Sequence, residues 1–121
     1  MSPDETRSVL STVESTAAMS PPASPDRDAT LAAFRSALDE GRFFEAHEIL
    51  EAYWVADRSE DRDFYRGLIQ AAVALHHASR GNLTGARSVA ARARAHLVPH
   101  APRHAGVEVQ EVLERLDEAV R

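Results

Sequence analysis

Glu45-Ala46-His47-Glu48-Ile49-Leu50-Glu51, with Trp54 three residues on, concentrates carboxylates, an imidazole and the chain's only tryptophan in one short stretch. Side chains at i, i+4 and i+7 of a helix share a face, so His47, Glu51 and Trp54 should project together. A second stretch supplies Gln70 and His77, seven residues apart and hence two turns along one face of another helix. Two imidazoles and one or two carboxylates suit a divalent metal such as zinc, iron or manganese, and such sets occur inside helical bundles. His47, Glu51 and His77 would be the ligands, with Glu48 as the general base for a metal-bound water. The spacing is not that of the zinc proteases, because Glu51 stands where their second histidine belongs. The same residues, His47, Glu48, Glu51, Trp54, Gln70 and His77, read in the first place as a buried polar cluster that fixes which helix faces meet. Burying an unpaired carboxylate costs on the order of several kcal/mol. Glu51 would then need His47, His77, Gln70 or an arginine such as Arg66 or Arg87.

The elements that must position these residues are all helical. Leu31, Phe34 and Leu38 form an apolar stripe that Gly41 ends, a left-handed stop. A second helix is expected over about Phe44–Ala56 and a third over about Arg62–Arg80, stopped by Gly81. Between Leu68 and Leu75 only Gln70 is polar, which marks this helix as central and packed on several sides. An alanine-rich fourth helix follows from Leu83 to Leu97, with Asn82 as its N-cap. Pro99, Pro102 and Gly106 then interrupt the chain. A last helix from about Val107 should bury Val109, Val112, Leu113, Leu116 and Val120. No segment alternates with period two, so no strand is expected.

Gly41 and Gly81, and likewise Ala46 and Ala86, are offset by the same forty residues. Helix, glycine, short turn and a helix with alanine inside resembles the tetratricopeptide hairpin. The expected fold is therefore all-α: a compact bundle of about five helices, built from two such hairpins and a C-terminal helix. It should occupy residues 28–121. Residues 1–27, rich in Ser, Thr and Pro, read as a disordered tail, since Pro21, Pro22 and Pro25 oppose regular structure and a lone helix there is marginal in water. Met19-Ser20-Pro21 repeats the Met1-Ser2-Pro3 start, which makes Met19 a candidate initiator.

Composition narrows the chemistry further. The 121 residues contain no Cys, which removes disulfides, thiolate metal sites and a cysteine nucleophile. Nothing approaches the roughly 18 apolar residues of a membrane span, nor a signal peptide, so a cytoplasmic location is expected. All fourteen basic residues are arginine. Nine acids lie between Asp39 and Asp63, whereas Phe64 to Val107 has none against six arginines and five histidines. The two segments should complement each other, within the chain or between subunits of a homodimer. The Arg/His-rich segment 80–104 is the place for a weak nucleic-acid contact. However, no aromatic lies among its arginines for base stacking, and the net charge of −5 opposes it.

Gly41-Arg42-Phe43-Phe44-Glu45-Ala46-His47-Glu48-Ile49-Leu50-Glu51 with Trp54 resembles the first signature of the small prokaryotic proteins grouped as domain of unknown function 309. Gly67-Leu68-Ile69-Gln70-Ala71-Ala72-Val73-Ala74-Leu75-His76-His77, then Arg80-Gly81-Asn82 and Gly85-Ala86, is similar to its second. The resemblance spans about residues 30–120. It implies five or so helices, places His77 rather than His76 in the motif, and implies no activity. Two functional readings follow from the residues. One is a non-catalytic module that binds a partner chain or itself, and the other a metal-dependent hydrolase-like enzyme.

Overall fold

The computed structural model describes residues 23–121, which form five α-helices and no strand. They are α1 (Ala23–Asp39), α2 (Phe43–Ala56), α3 (Arg62–Ser79), α4 (Leu83–Leu97) and α5 (Val109–Ala119), with a 3-10 turn at Val98–His100. The all-α bundle expected from the sequence is therefore present. Met19 and the rest of the expected tail up to residue 22 lie outside the described residues. Helix α1 starts at Ala23, ahead of the expected Asp28, and carries Pro25 in its first turn. Proline is tolerated there because the first amides of a helix have no intrahelical acceptor to reach. Helix α5 starts at Val109 rather than Val107, because His104 and Val107 first exchange a pair of backbone hydrogen bonds.

Consecutive helices pack on each other, and α3 touches α2, α4 and α5. The core runs from Leu31, Phe34 and Leu38 of α1 through Leu50, Phe64, Leu68 and Leu97 to Val109, Leu113 and Leu116 of α5. Forty residues apart, two turns repeat bond for bond. Gly41 and Gly81 have φ of 78° and 81°, in the left-handed region where glycine carries no steric penalty. In the first turn the Arg42 amide donates to the Ala37 carbonyl and the Gly41 amide to Leu38. In the second the Asn82 amide donates to His77 and the Gly81 amide to Ala78. Each closes the last carbonyls of its helix in a Schellman motif and reverses the chain. Asn82 then caps α4 through a side-chain bond from the Gly85 amide, 2.9 Å.

The third and fourth helices lie close because their facing residues are small. Helix α4 buries Ala86, Ala90 and Ala93, and α3 contributes Gly67. A Cβ on Gly67 would stand 2.8 Å from His96 Cβ and 2.9 Å from Leu97 Cγ. Replacing Gly67 by Ala should thus separate the helices despite the better helix propensity of alanine. We expect Gly67→Ala to lower stability by about 1–3 kcal/mol, measured by urea denaturation. An unchanged midpoint would show that α4 can shift freely.

Candidate functional site

Two ring contacts set the register of α2 on α3. Tyr53 meets Tyr65 edge to face at 5.5 Å, and Phe44 meets His76 at 5.4 Å. Moving up one helix moves down the other, so the pair is antiparallel. That register sets Trp54 opposite Arg66 and Glu51 opposite Gln70. Together with Ile69 these four residues line an open notch of about 150 Å³. Arg62 holds the indole in place. Its guanidinium sits 4.2 Å from the Trp54 ring centroid and donates to the carbonyls of Trp54 and Asp57, at 2.8 and 2.6 Å. A cation here also meets the partial negative charge at the C-terminus of α2.

Two atoms of the notch are unsatisfied. Trp54 Nε1 and Gln70 Oε1 are both buried without a hydrogen-bond partner among the described residues. Native structures leave few such groups, and each loses its hydration on burial. One is a donor and the other an acceptor. At the mouth stand Glu51, half-exposed, and Arg66, exposed and without a hydrogen-bond or ion-pair partner among the described residues.

The remaining residues singled out by sequence are dispersed. His47 Nδ1 lies 3.3 Å from the Phe44 carbonyl, and its Nε2 lies 3.5 Å from Glu51 Oε1. Glu48 is exposed on the outer face of α2. His77 belongs to the second turn, where Asn82 Nδ2 approaches its Nδ1 at 3.5 Å. The register sets it opposite Phe43, one turn beyond His47. His47, Glu51 and His77 consequently do not assemble as a metal triad: among the described residues no three His, Cys, Asp or Glu side chains converge. Nor is the cluster buried, since the core of the described residues holds no polar or charged residue. Arg87, an expected partner for Glu51, instead donates to the Val120 carbonyl. The His47–Glu51 pair is long and open to water, so Glu51→Gln should cost less than about 1 kcal/mol by calorimetry. A larger loss would mean that the carboxylate holds the helices together.

A second polar cluster escaped the sequence reading. His104 Nε2 donates to Asp61 Oδ1 at 2.8 Å, and Arg27 Nη1 lies 3.8 Å from Asp61 Oδ2. The His104 ring packs on Phe64 at 4.6 Å and on His100 at 4.5 Å. Tyr65 lies beside Arg27, and burial pushes its hydroxyl up to about 12. This knot ties the segment before α5 to the start of α3, joining the acidic and basic segments inside one chain. Its only signal in the sequence is that charge split, which does not say which acid meets which histidine. The basic segment is otherwise occupied: Arg94 pairs with Asp117 at 2.6 Å and Arg103 with Glu108.

Burial, and secondly the neighbouring His104, hold His100 below its ordinary value of 6.5. The unfolded chain therefore binds the proton more readily. His100 contributes stability that is complete above about pH 6.5 and lost as pH falls through its lower folded value. Melting temperature should drop between pH 7.5 and 5.5, and His100→Asn should flatten that slope. Equal slopes in the two proteins would contradict it.

Residues 31–89 match the model of a domain of unknown function, DUF309. An uncharacterized protein of Aquifex aeolicus is 34% identical over 85 residues, covering 69% of this chain and 26% of its own length. The uncharacterized protein YpuF of Bacillus subtilis is 48% identical over 50 residues, 40% of this chain and 29% of its own. This chain thus spans under a third of the length of either relative. No solved structure matches it. Among the described residues no helix is long and apolar enough to cross a membrane. The match takes in both signatures, the twin glycine turns and every residue of the notch, so residues 31–89 of this chain are similar to the DUF309 family.

Proposed function

We propose that the chain is a non-catalytic binding module whose receiving surface is the notch lined by Glu51, Trp54, Arg66, Ile69 and Gln70. One observation carries this reading. Trp54 and Gln70, each with one buried polar atom that has no hydrogen-bond partner among the described residues, line the same small open cavity. A structural network of the kind buried polar groups usually form would have spent these two atoms on protein partners. Left unmet, they disfavour folding and favour whatever supplies an acceptor and a donor together.

The competing reading, metal-dependent hydrolysis through His47, Glu51 and His77 with Glu48 as base, needs all three ligands on one ion. His77 sits a turn away beside Asn82, and Glu48 turns to solvent, so the geometry lends that reading no support. Nucleic-acid binding through segment 80–104 is likewise weakened by the intramolecular partners of Arg87, Arg94 and Arg103.

Groups kept for binding are held at a cost to stability. Gln70→Leu, close to isosteric and free of the orphaned oxygen, should leave the melting temperature unchanged or raise it, as read by calorimetry. A loss above about 1 kcal/mol would identify Gln70 as a structural bond and overturn the proposal.

A further inference from the structure

We infer that the open face formed by α2, α3 and α4 receives a second copy of this chain, the acidic edge of one copy lying on the basic edge of the other. The notch lies on this face, so the inference rests on the binding reading above and names the partner. Its basis is a stripe that recurs on each of the three helices. On α3 it is Arg66, Gln70, Val73 and His77, the residues its neighbours leave uncovered. On α2 the same spacing, i, i+4, i+7 and i+11, selects Phe44, Glu48, Glu51 and Val55, all exposed. On α4 it selects Gly85, Val89, Arg92 and His96, none of them fully buried.

Packing turns all three stripes the same way. Helix α3 sets Tyr65 against Tyr53 of α2 on one side and Gly67 against His96 and Leu97 of α4 on the other. On α2, Phe44 meets His76 and Glu51 shares the notch with Gln70, which lays its stripe alongside that of α3. On α4, Arg87 and Arg94 reach Val120 and Asp117 at the α5 side, so the stripe from Gly85 to His96 lies on the side away from α5. The three helices thus form a layer with the core on one side and solvent on the other.

Charge is sorted across this layer. Glu48 and Glu51 hold one edge, Arg92 and His96 the other, and α3 keeps them about 18 Å apart, too far to pair within one chain. Glu48 and Arg92 have no ion-pair partner among the described residues, and Glu51 has only His47 at 3.5 Å. The Tyr53–Tyr65 and Gly67–His96 contacts set Arg92 level with the turn between Glu48 and Glu51. A two-fold axis parallel to α3 therefore brings Arg92 of each copy over the Glu48–Glu51 turn of the other, and Phe44 over Gly85 and Val89. An axis across the helices would lay acid on acid instead. Such an isologous pair uses each edge twice. Arg66 stands near the axis and shares the notch with Glu51, whose carboxylate offsets the approach of the two guanidiniums. Phe44 and Val55, 52% and 58% exposed, add apolar surface at the two ends of the acidic edge. Three helices side by side over about 22 Å offer about 600 Å² per copy, the lower end of a standard interface.

Sedimentation equilibrium of the full chain should show dimers at about 0.02 M salt, with a dissociation constant at least about tenfold higher at about 0.5 M. Glu51→Arg and Arg92→Glu alter exposed side chains and should keep the helix content seen by circular dichroism. Each variant alone should be monomeric where the unaltered chain is dimeric. An equimolar mixture of the two should dimerise again, because in the mixed pair each edge finds its opposite. Mixing cannot rescue a chain that fails to fold, so the mixture separates lost pairing from lost structure. A chain monomeric at both salt concentrations, single variants that still dimerise, or a mixture that stays monomeric would each overturn the inference. If the chain is monomeric while Gln70→Leu keeps its full melting temperature, the second copy is the wrong partner and the binding reading stands. If Gln70→Leu is destabilised, the binding reading itself falls.

Discussion

A helix enclosed by its neighbours can carry polar groups only along the strip its neighbours leave uncovered. Helix α3 packs on α2, α4 and α5, and from Phe64 to Leu75 every residue is buried except Arg66, Gln70 and Val73. Those three, with His77, recur at i, i+4, i+7 and i+11, a single stripe on a helix of 3.6 residues per turn. The close fit against α4, made possible by Gly67 and the α4 alanines, turns the opposite edge of α3 toward α2. The polar side chains of this strip therefore lie along the α2 seam. The position of the notch follows from the apolar packing on the other sides.

Along that strip the character of the seam changes from turn to turn. Near the loop, Arg62 pins Trp54 by stacking on its ring and bonding its carbonyl, so the indole is rigid yet its N–H is unspent. One turn on, Glu51 and Gln70 provide acceptors. Further still, Phe44 is half-exposed between the rings of His47 and His76, and His77 is drawn into the glycine turn by Asn82. A cluster that looks compact in the sequence is spread over about 15 Å of helix, from Trp54 to Phe44, at 1.5 Å per residue. That length separates His47 from His77 and leaves only the loop end of the seam as a notch.

The helices were legible because their signals are local. The run from Leu68 to Leu75, the glycine stops at 41 and 81 and the Asn82 cap depend on residues within a turn or two of each other. Which side chains meet across a seam is not local. Residues on one stripe of α2 and one stripe of α3 were readable, but a register offset of four residues decides whether His77 faces His47 or Phe43. Nothing in the hydrophobic pattern fixes that offset. Pro25 misled for a related reason: proline breaks a helix interior yet suits a first turn, and the residues around it do not say where that turn begins. The Asp61–His104 bond spans 43 residues and was visible only as a difference in charge between two halves.

The two polar clusters differ more in how far their groups are met than in residue type, although Arg27 Nε of the first is also buried without a hydrogen-bond partner among the described residues. At one end Asp61 stands at the start of α3, where a carboxylate suits the helix dipole, and takes His104 and Arg27 as partners against Phe64. Its acceptors are spent, its geometry is closed, and its effect is to fasten the segment before α5. At the notch the residue types are no more reactive: an indole, an amide, a carboxylate and a guanidinium. What differs is that the described residues supply no partner to the Trp54 N–H, the Gln70 amide oxygen or the Arg66 guanidinium, though Gln70 and Trp54 both lie at the α2–α3 interface. Both side chains line the notch, and on the binding reading proposed above the cost of their desolvation has already been met in folding.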